Sequence, residues 1–309
     1  MRAAKLGFLI SSLLCCLYTE AQVSLSSASL DGIAELRWVD ADANKVEALT
    51  QQPASCLAVS HLGEPQQSAA QAGEALFYSP LLLGGQAAKA GISCASCRLN
   101  GRNDPHFSLD GVSGAAGTAD VSHGFLGQQR DDDLFNPVII PDLAAPEGNK
   151  MVARDDAEAI ANFLYAQIVE EFDGPEPSKQ VMSDLADYLH SLDEGCLDLP
   201  DEAITWRQEM TRARVAYDRM DQFEQSDPIS AEAYKSAGRS ALGRIHARYP
   251  SEEHANIRQK LETLSRLLQS GAASEEYVPT HDALAVLLQS QEKTSLYDPQ
   301  SLQERLDNQ

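Results

Sequence analysis

The stretch "GISCASCRLN", residues 91–100, carries two cysteines separated by two residues, Cys94 and Cys97, followed at once by Arg98. Four chemistries use this spacing: a covalent haem attachment site, half of a zinc site, a redox dithiol and a local disulfide. The chain has no second pair of the same spacing, which argues against structural zinc. A thioredoxin-like dithiol sits where a strand meets a helix in an alternating β–α pattern, and residues 94–97 lie in no such pattern. Attached haem and a plain disulfide remain.

Periodicity around the pair is helical. "QSAAQAGEALFY" (67–78) predicts a helix with Ala70, Leu76 and Phe77 apolar, stopped before Pro80. An earlier short helix is expected within residues 33–52, ended by Pro53. From Leu81 to Gly148 the chain is rich in glycine, asparagine, aspartate and proline, which predicts long ordered loops. A loop region of that length needs an organiser other than secondary structure, and a cofactor is one. Helix returns at Asp155, with Ile160, Phe163, Leu164 and Ile168 on one face and three carboxylates near the positive end of the helix dipole. After the turn "DGPEP" (173–177), Val181, Leu185, Tyr188, Leu189 and Leu192 form a single stripe.

"EGCLDLPDE" (194–202) marks a boundary, and the chain beyond residue 202 is nearly all helix. Trp206, Met210, Ala213, Tyr217 and Met220 make one stripe; Tyr234, Ala237, Ala241 and Ile245 a second; Ile257, Leu261, Leu264 and Leu268 a third. Pro228, Pro250 and "SGAAS" (270–274) punctuate them, predicting about four antiparallel helices and a frayed tail after Leu296.

Taken in order, these residues resemble the c-type cytochromes. In that fold a glycine and a phenylalanine four apart on an N-terminal helix pack against a leucine and an aromatic three apart on a C-terminal one. Gly73 and Phe77 precede the cysteine pair here, and Leu185 and Tyr188 come after it. "GEALFYSPLLLGG…GISCASC" is further similar to the bacterial di-haem cytochrome c peroxidase group, in which Gly-x-x-Leu-Phe precedes Cys-Ala-Ser-Cys-His. The likeness spans roughly residues 70 to 193, and a second attachment site is missing, so a two-haem mechanism does not carry over. It implies haem c bound through Cys94 and Cys97, with Met151 in "PEGNKMVA" (146–153) as an axial ligand; the thioether is a soft donor suited to haem iron.

The departure is at Arg98, where the family has the iron-ligating histidine. A guanidinium stays protonated and offers iron no lone pair. Three outcomes stay open. Another histidine ligates, His106 or His123 being the candidates in the loops. Alternatively haem is absent, Cys94 and Cys97 close a disulfide, and Arg98 pairs with Asp104 or Asp110. Or haem is held with an open iron position, the arrangement that peroxide chemistry requires. Within 111–143, Phe125, Phe135, Val138 and Ile139 offer an apolar wall to a flat ligand, or else belong to an ordinary loop.

"MRAAKLGFLISSLLCCLYTEAQ" reads as a secretory leader: Arg2 and Lys5, an apolar stretch too short to span a bilayer comfortably, then small residues near position 21. Export to the periplasm or beyond makes paired cysteines the expectation, and Cys56 with Cys196 is the pairing expected. Removing Arg2, Lys5 and Glu20 with the leader takes the formal net charge from −22 to −23, which disfavours nucleic acid and anionic membrane as partners. The expectation is therefore a mostly α protein: leader 1–21, extension 22–66, cytochrome c-like helical domain with long ordered loops 67–199, antiparallel helical domain 200–309. Its expected function is haem binding and one-electron transfer to a redox partner protein. A haem-free, disulfide-stabilised scaffold or interaction module is the rival, and a peroxidase-like haem enzyme the third reading.

Overall fold

A computed structural model describes residues 37–146 and 152–308. The leader and Met151 lie outside the described residues. Eleven α-helices and four two-residue strands occur among them. α1 (Lys45–Thr50) is capped by the Asn44 side chain, which accepts from the Glu47 N–H, and runs directly into β1 (Gln51–Gln52). α2 (Glu64–Phe77) starts at Pro65, where a missing N–H costs nothing, and stops before Pro80. Among its described residues the loop region holds α3 (Gly85–Lys89), α4 (Cys94–Cys97), a short turn at Leu99–Gly101, and the ribbon of β2 (Thr118–Ala119) with β3 (Val138–Ile139).

α5 (Ala157–Tyr165) is capped by Asp156 and continues as a π-helical turn through Ala166–Glu171. α6 (Lys179–His190) starts at Ser178, whose hydroxyl accepts from the Val181 N–H. β4 (Glu202–Ala203) pairs antiparallel with β1, joining the start of the C-terminal segment to the N-terminal one. Then come α7 (Trp206–Phe223), α8 (Pro228–Ala247), α9 (Ala255–Ser270), α10 (Ser274–Ser290) and α11 (Pro299–Asp307). All three predicted C-terminal stripes are buried, and they belong to one hydrophobic core together with Leu76, Phe77, Leu185 and Tyr188.

Five C-terminal helices stand where about four were expected. The tail after Leu296 is not frayed: Asp298 caps α11, and Leu302, fully buried, packs with Leu49 of α1 and with Leu296. The early helix is shorter than residues 33–52 suggested, because β1 claims the two residues before Pro53.

α2 and α6 cross at Gly73. A Cβ built there would stand 1.9 Å from the Asp184 carbonyl oxygen and 2.7 Å from Tyr188 Cβ, so only glycine permits this approach. One turn on, the Phe77 and Tyr188 rings meet at 5.1 Å between centroids, tilted by 51°. The early and late helices of the sequence pattern are therefore in direct backbone contact.

The Cys56–Cys196 disulfide closes the region, with Cα atoms 5.0 Å apart across 140 residues of sequence. Beside it, the Asp193 N–H donates to the Cys56 carbonyl at 2.9 Å and the Cys56 N–H to the Asn100 carbonyl at 3.2 Å. The bridge thus ties the chain just after α6 to the segment before α2, which in turn is hydrogen-bonded to the turn just after α4. The helices described include none long and apolar enough to cross a membrane.

Replacing Gly73 with alanine should cost about 3 kcal/mol or more, because the methyl meets backbone that cannot swing aside. Urea unfolding followed by circular dichroism measures this. A loss under about 1 kcal/mol, the range of a well-tolerated core change, would mean that the crossing is looser than described.

Candidate functional site

Cys94 and Cys97 form the first and last residues of the single-turn α4, whose start is fixed by a reciprocal cap: the Ser93 N–H donates to Ser96 Oγ at 3.0 Å, and the Ser93 side chain answers the N–H three residues on. This places the two sulfurs on one turn. Both cysteines are free thiols and half-buried. Burial pushes both thiols up to about 12, with the Arg98 guanidinium opposing the shift and Glu171 adding to it.

Glu171, the last residue of the π-helical turn, is buried. Its carboxyl is raised by burial, against the pull of Arg98, Gln167 and Arg130. Arg130 Nη1 donates to Glu171 Oε2 at 3.3 Å and Gln167 Nε2 to the same oxygen at 2.8 Å. Sequence reasoning missed Glu171 entirely; the second of two adjacent glutamates at the end of an apolar helix pattern carries no signal that it will lie near a thiol pair.

Arg98 does not pair with either aspartate proposed from sequence. Asp104 is fully buried and is taken by Arg37, whose Nε donates to it at 2.7 Å, while Asp110 is exposed. The groups that feel Arg98 are instead the two thiols and Glu171.

The histidines differ in what they offer. His123 Nδ1 accepts the Phe125 N–H at 3.0 Å, which leaves the ring proton of the neutral form on Nε2 and no free nitrogen for a metal. The half-buried His106 ring has no hydrogen-bond partner among the described residues, so either nitrogen is free to donate an electron pair. His190 is exposed and engages the Arg154 carbonyl through Nδ1 at 2.7 Å. No cluster of three or more His, Cys, Asp and Glu side chains placed to hold a bare metal ion occurs among the described residues. Of the four apolar residues expected to wall a flat ligand, Phe135, Val138 and Ile139 are exposed and only Phe125 is half-buried.

Among the described residues, buried donor atoms without an acceptor include Arg98 Nε, Arg102 Nε and Nη1, and Tyr188 Oη, together with Trp206 Nε1, Arg212 Nε and Arg244 Nε elsewhere in the fold. Tyr188 feels Cys94 electrostatically, and Arg98 and Arg102 flank the loop just after α4. Each such donor costs roughly 1–3 kcal/mol when unsatisfied. A ligand with carboxylates would satisfy those on Arg98 and Arg102, and two thiols one turn apart suit the two vinyl groups of a porphyrin. Position 98 offers iron no lone pair.

The C-terminal helices reach this turn through one relay. Arg212 of α7 donates to Glu74 at 2.8 Å and to Glu209 at 3.1 Å, and its guanidinium lies 3.6 Å from the centre of the Tyr78 ring. Arg244 of α8 donates to Glu209 and to the Tyr78 carbonyl, both at 2.8 Å. Tyr78 Oη in turn donates to Asn100 Oδ1 at 2.8 Å and accepts the Asn100 N–H at 3.1 Å. Asn100 is buried with a φ of 54°, a left-handed geometry that asparagine tolerates and that turns the chain just beyond Cys97.

Replacing Arg212 with alanine strands the half-buried Glu74 and leaves the buried Glu209 with Arg244 alone, and should cost roughly 3–5 kcal/mol in thermal or urea unfolding. Thiol reactivity is a second readout. In the chain whose sulfurs carry nothing, alkylation at about pH 8 should run about a thousandfold below a solvated thiol, since only the thiolate reacts. Because the folded thiol values lie above the unfolded ones, the associated stability is intact below about pH 8.5 and drains away as pH rises toward 12. Alkylation at the rate of a model thiol would contradict this.

The chain matches no protein-family model, no curated protein and no solved structure.

Proposed function

We propose that the chain is an exported, cytochrome c-like protein that holds one haem through Cys94 and Cys97 and carries single electrons to and from a partner protein. The observation that supports this most is the thiol pair held at attachment spacing on a single turn and followed at once by Arg98, whose Nε is buried without a partner. The Gly73 crossing, in the order the c-type cytochromes use, supports the same reading. So does the Cys56–Cys196 bridge, which suits an oxidising compartment.

Each residue then has a task. Cys94 and Cys97 anchor the macrocycle, each thiol adding across a vinyl group. Arg98 and Arg102 offer N–H donors to the propionates, replacing the acceptors they lack. Tyr188, clamped by Phe77, packs against the attachment turn. His106 is the residue best prepared among the described ones to supply a nitrogen ligand, and Met151, which lies outside them, would supply the thioether ligand. Haem, when bound, supplies an iron centre that alternates between two oxidation states. The protein's part is to bury it and fix its ligands.

One observation favours a haem-free reading. The Arg98 charge lies near both thiols and a buried glutamate, an arrangement that is electrostatically consistent without any cofactor. In that reading the chain is a disulfide-stabilised interaction module.

Mature protein made in cells that assemble c-type cytochromes decides between them. The haem reading predicts a Soret band and a covalent pyridine haemochrome, lost in a C94A/C97A variant, weakened by His106→Ala and increased in Arg98→His. Colourless wild type and a colourless Arg98→His variant would sink it.

A further inference from the structure

The loop from Asp131 to Ile139 is built unlike the rest of the surface. Leu134, Phe135, Val138 and Ile139 are 64, 62, 58 and 75 % exposed, four large apolar side chains within six residues. A strand normally turns alternate side chains inward, yet both residues of β3 face solvent, and β3 pairs only with β2, Ile139 opposite Thr118 and Val138 opposite Ala119. Apolar surface of this kind, concentrated in one segment rather than scattered, marks a contact site.

Beside these side chains, and partly under them, lies a cavity of about 460 Å³ lined among others by Asp131, Asp133, His123, Gln128, Phe125 and Phe135. Asp131, Asp132 and Asp133 form no ion pair among the described residues. Their carboxylates accept only from the loop's own groups, such as the Asp133 and Leu134 N–H groups and the Asn136 amide. The neighbouring cation, Arg130, is spent on Glu170 and Glu171. Two carboxylates and two aromatic rings around a cavity of this size are the complement of a lysine or arginine side chain, whose stem packs on the rings while its head meets the charge.

We propose that the 131–139 loop and the cavity beside it form a docking surface for a basic, apolar-flanked segment of a partner protein, with one lysine or arginine side chain seated between Asp131 and Asp133. A net charge of −22 favours a cationic occupant over a second copy of this chain, whose own Asp131–Asp133 run would be brought against itself. The apolar quartet supplies the dry centre of the contact and the aspartates its charged rim. This surface goes beyond the haem reading and does not depend on it.

The test uses the full mature chain and a twelve-residue amphipathic peptide of alternating leucine/phenylalanine and lysine, followed by fluorescence anisotropy at low salt. A D131N/D133N variant keeps side-chain size and tolerates the positive φ of Asp133. It should weaken binding at least tenfold, as should F135S/I139S. Neutralising E275Q/E276Q on α10 should leave binding within twofold, and a glutamate version of the peptide should not bind. Circular dichroism melts confirm that the variants fold. Equal weakening by the α10 variant would reduce the effect to bulk attraction and overturn the proposal, as would indifference to D131N/D133N. Sedimentation showing a wild-type dimer that F135S/I139S converts to monomer would also overturn it, by assigning the face to self-association.

Discussion

Everything in this molecule hangs on the absence of one side chain. At Gly73 the backbone of α2 lies against the carbonyl of Asp184 on α6, and no other residue allows that distance. The approach sets Phe77 on Tyr188, and Tyr188 is the buried group nearest in character to a wall behind Cys94. Because Tyr78 comes directly at the end of α2, the same approach also fixes where the phenol meets Asn100 and hence where the chain turns after Cys97. A single backbone contact thus places helix, aromatic pair and thiol turn together.

Residues beyond 200 complete that arrangement rather than sitting apart from it. The buried Arg212 and the half-buried Arg244 bring two cations to Glu74, Glu209 and Tyr78, and β4 adds its short ladder to β1. Burial by itself would raise the Glu209 carboxyl, but Arg244 and Arg212 outweigh it and hold the group below its usual range. Buried ion pairs of this kind contribute little net stability when complete and cost several kcal/mol when broken. Their value here is geometric: they specify one seating of the C-terminal helices against α2. A second buried set does the same further along, where Arg219 and Tyr234 converge on Asp184, the residue whose carbonyl receives α2.

The helices and their buried stripes were readable because amphipathic periods of 3.6 survive in the sequence whatever the partner. The Cys56–Cys196 bridge was readable from compartment and parity. Three features were not. The last helix, Pro299–Asp307, is short and polar on most faces, and the Asp298 cap with the burial of Leu302 against Leu49 and Leu296 holds it in place. The partner of Asp104 is Arg37, 67 residues upstream, which spacing near the cysteines cannot suggest. The exposure of Phe135, Val138 and Ile139 runs against their composition: apolar residues in a glycine-rich loop read as lining, yet all three side chains face solvent. The likeness to c-type cytochromes rests on residue order, and Arg98 is where that order and the chemistry of iron part.

Native-state hydrogen exchange tests the role of the crossing most directly, because it reports the free energy of opening residue by residue. If the Gly73 approach organises the fold, amides of α2 from Ala69 to Phe77 and of α6 from Val181 to Leu189 should exchange last and with the same opening free energy, while loop amides between 103 and 146 exchange sooner. Exchange of either helix well before the other would show that they do not open as one unit, and the account built on their contact would fail.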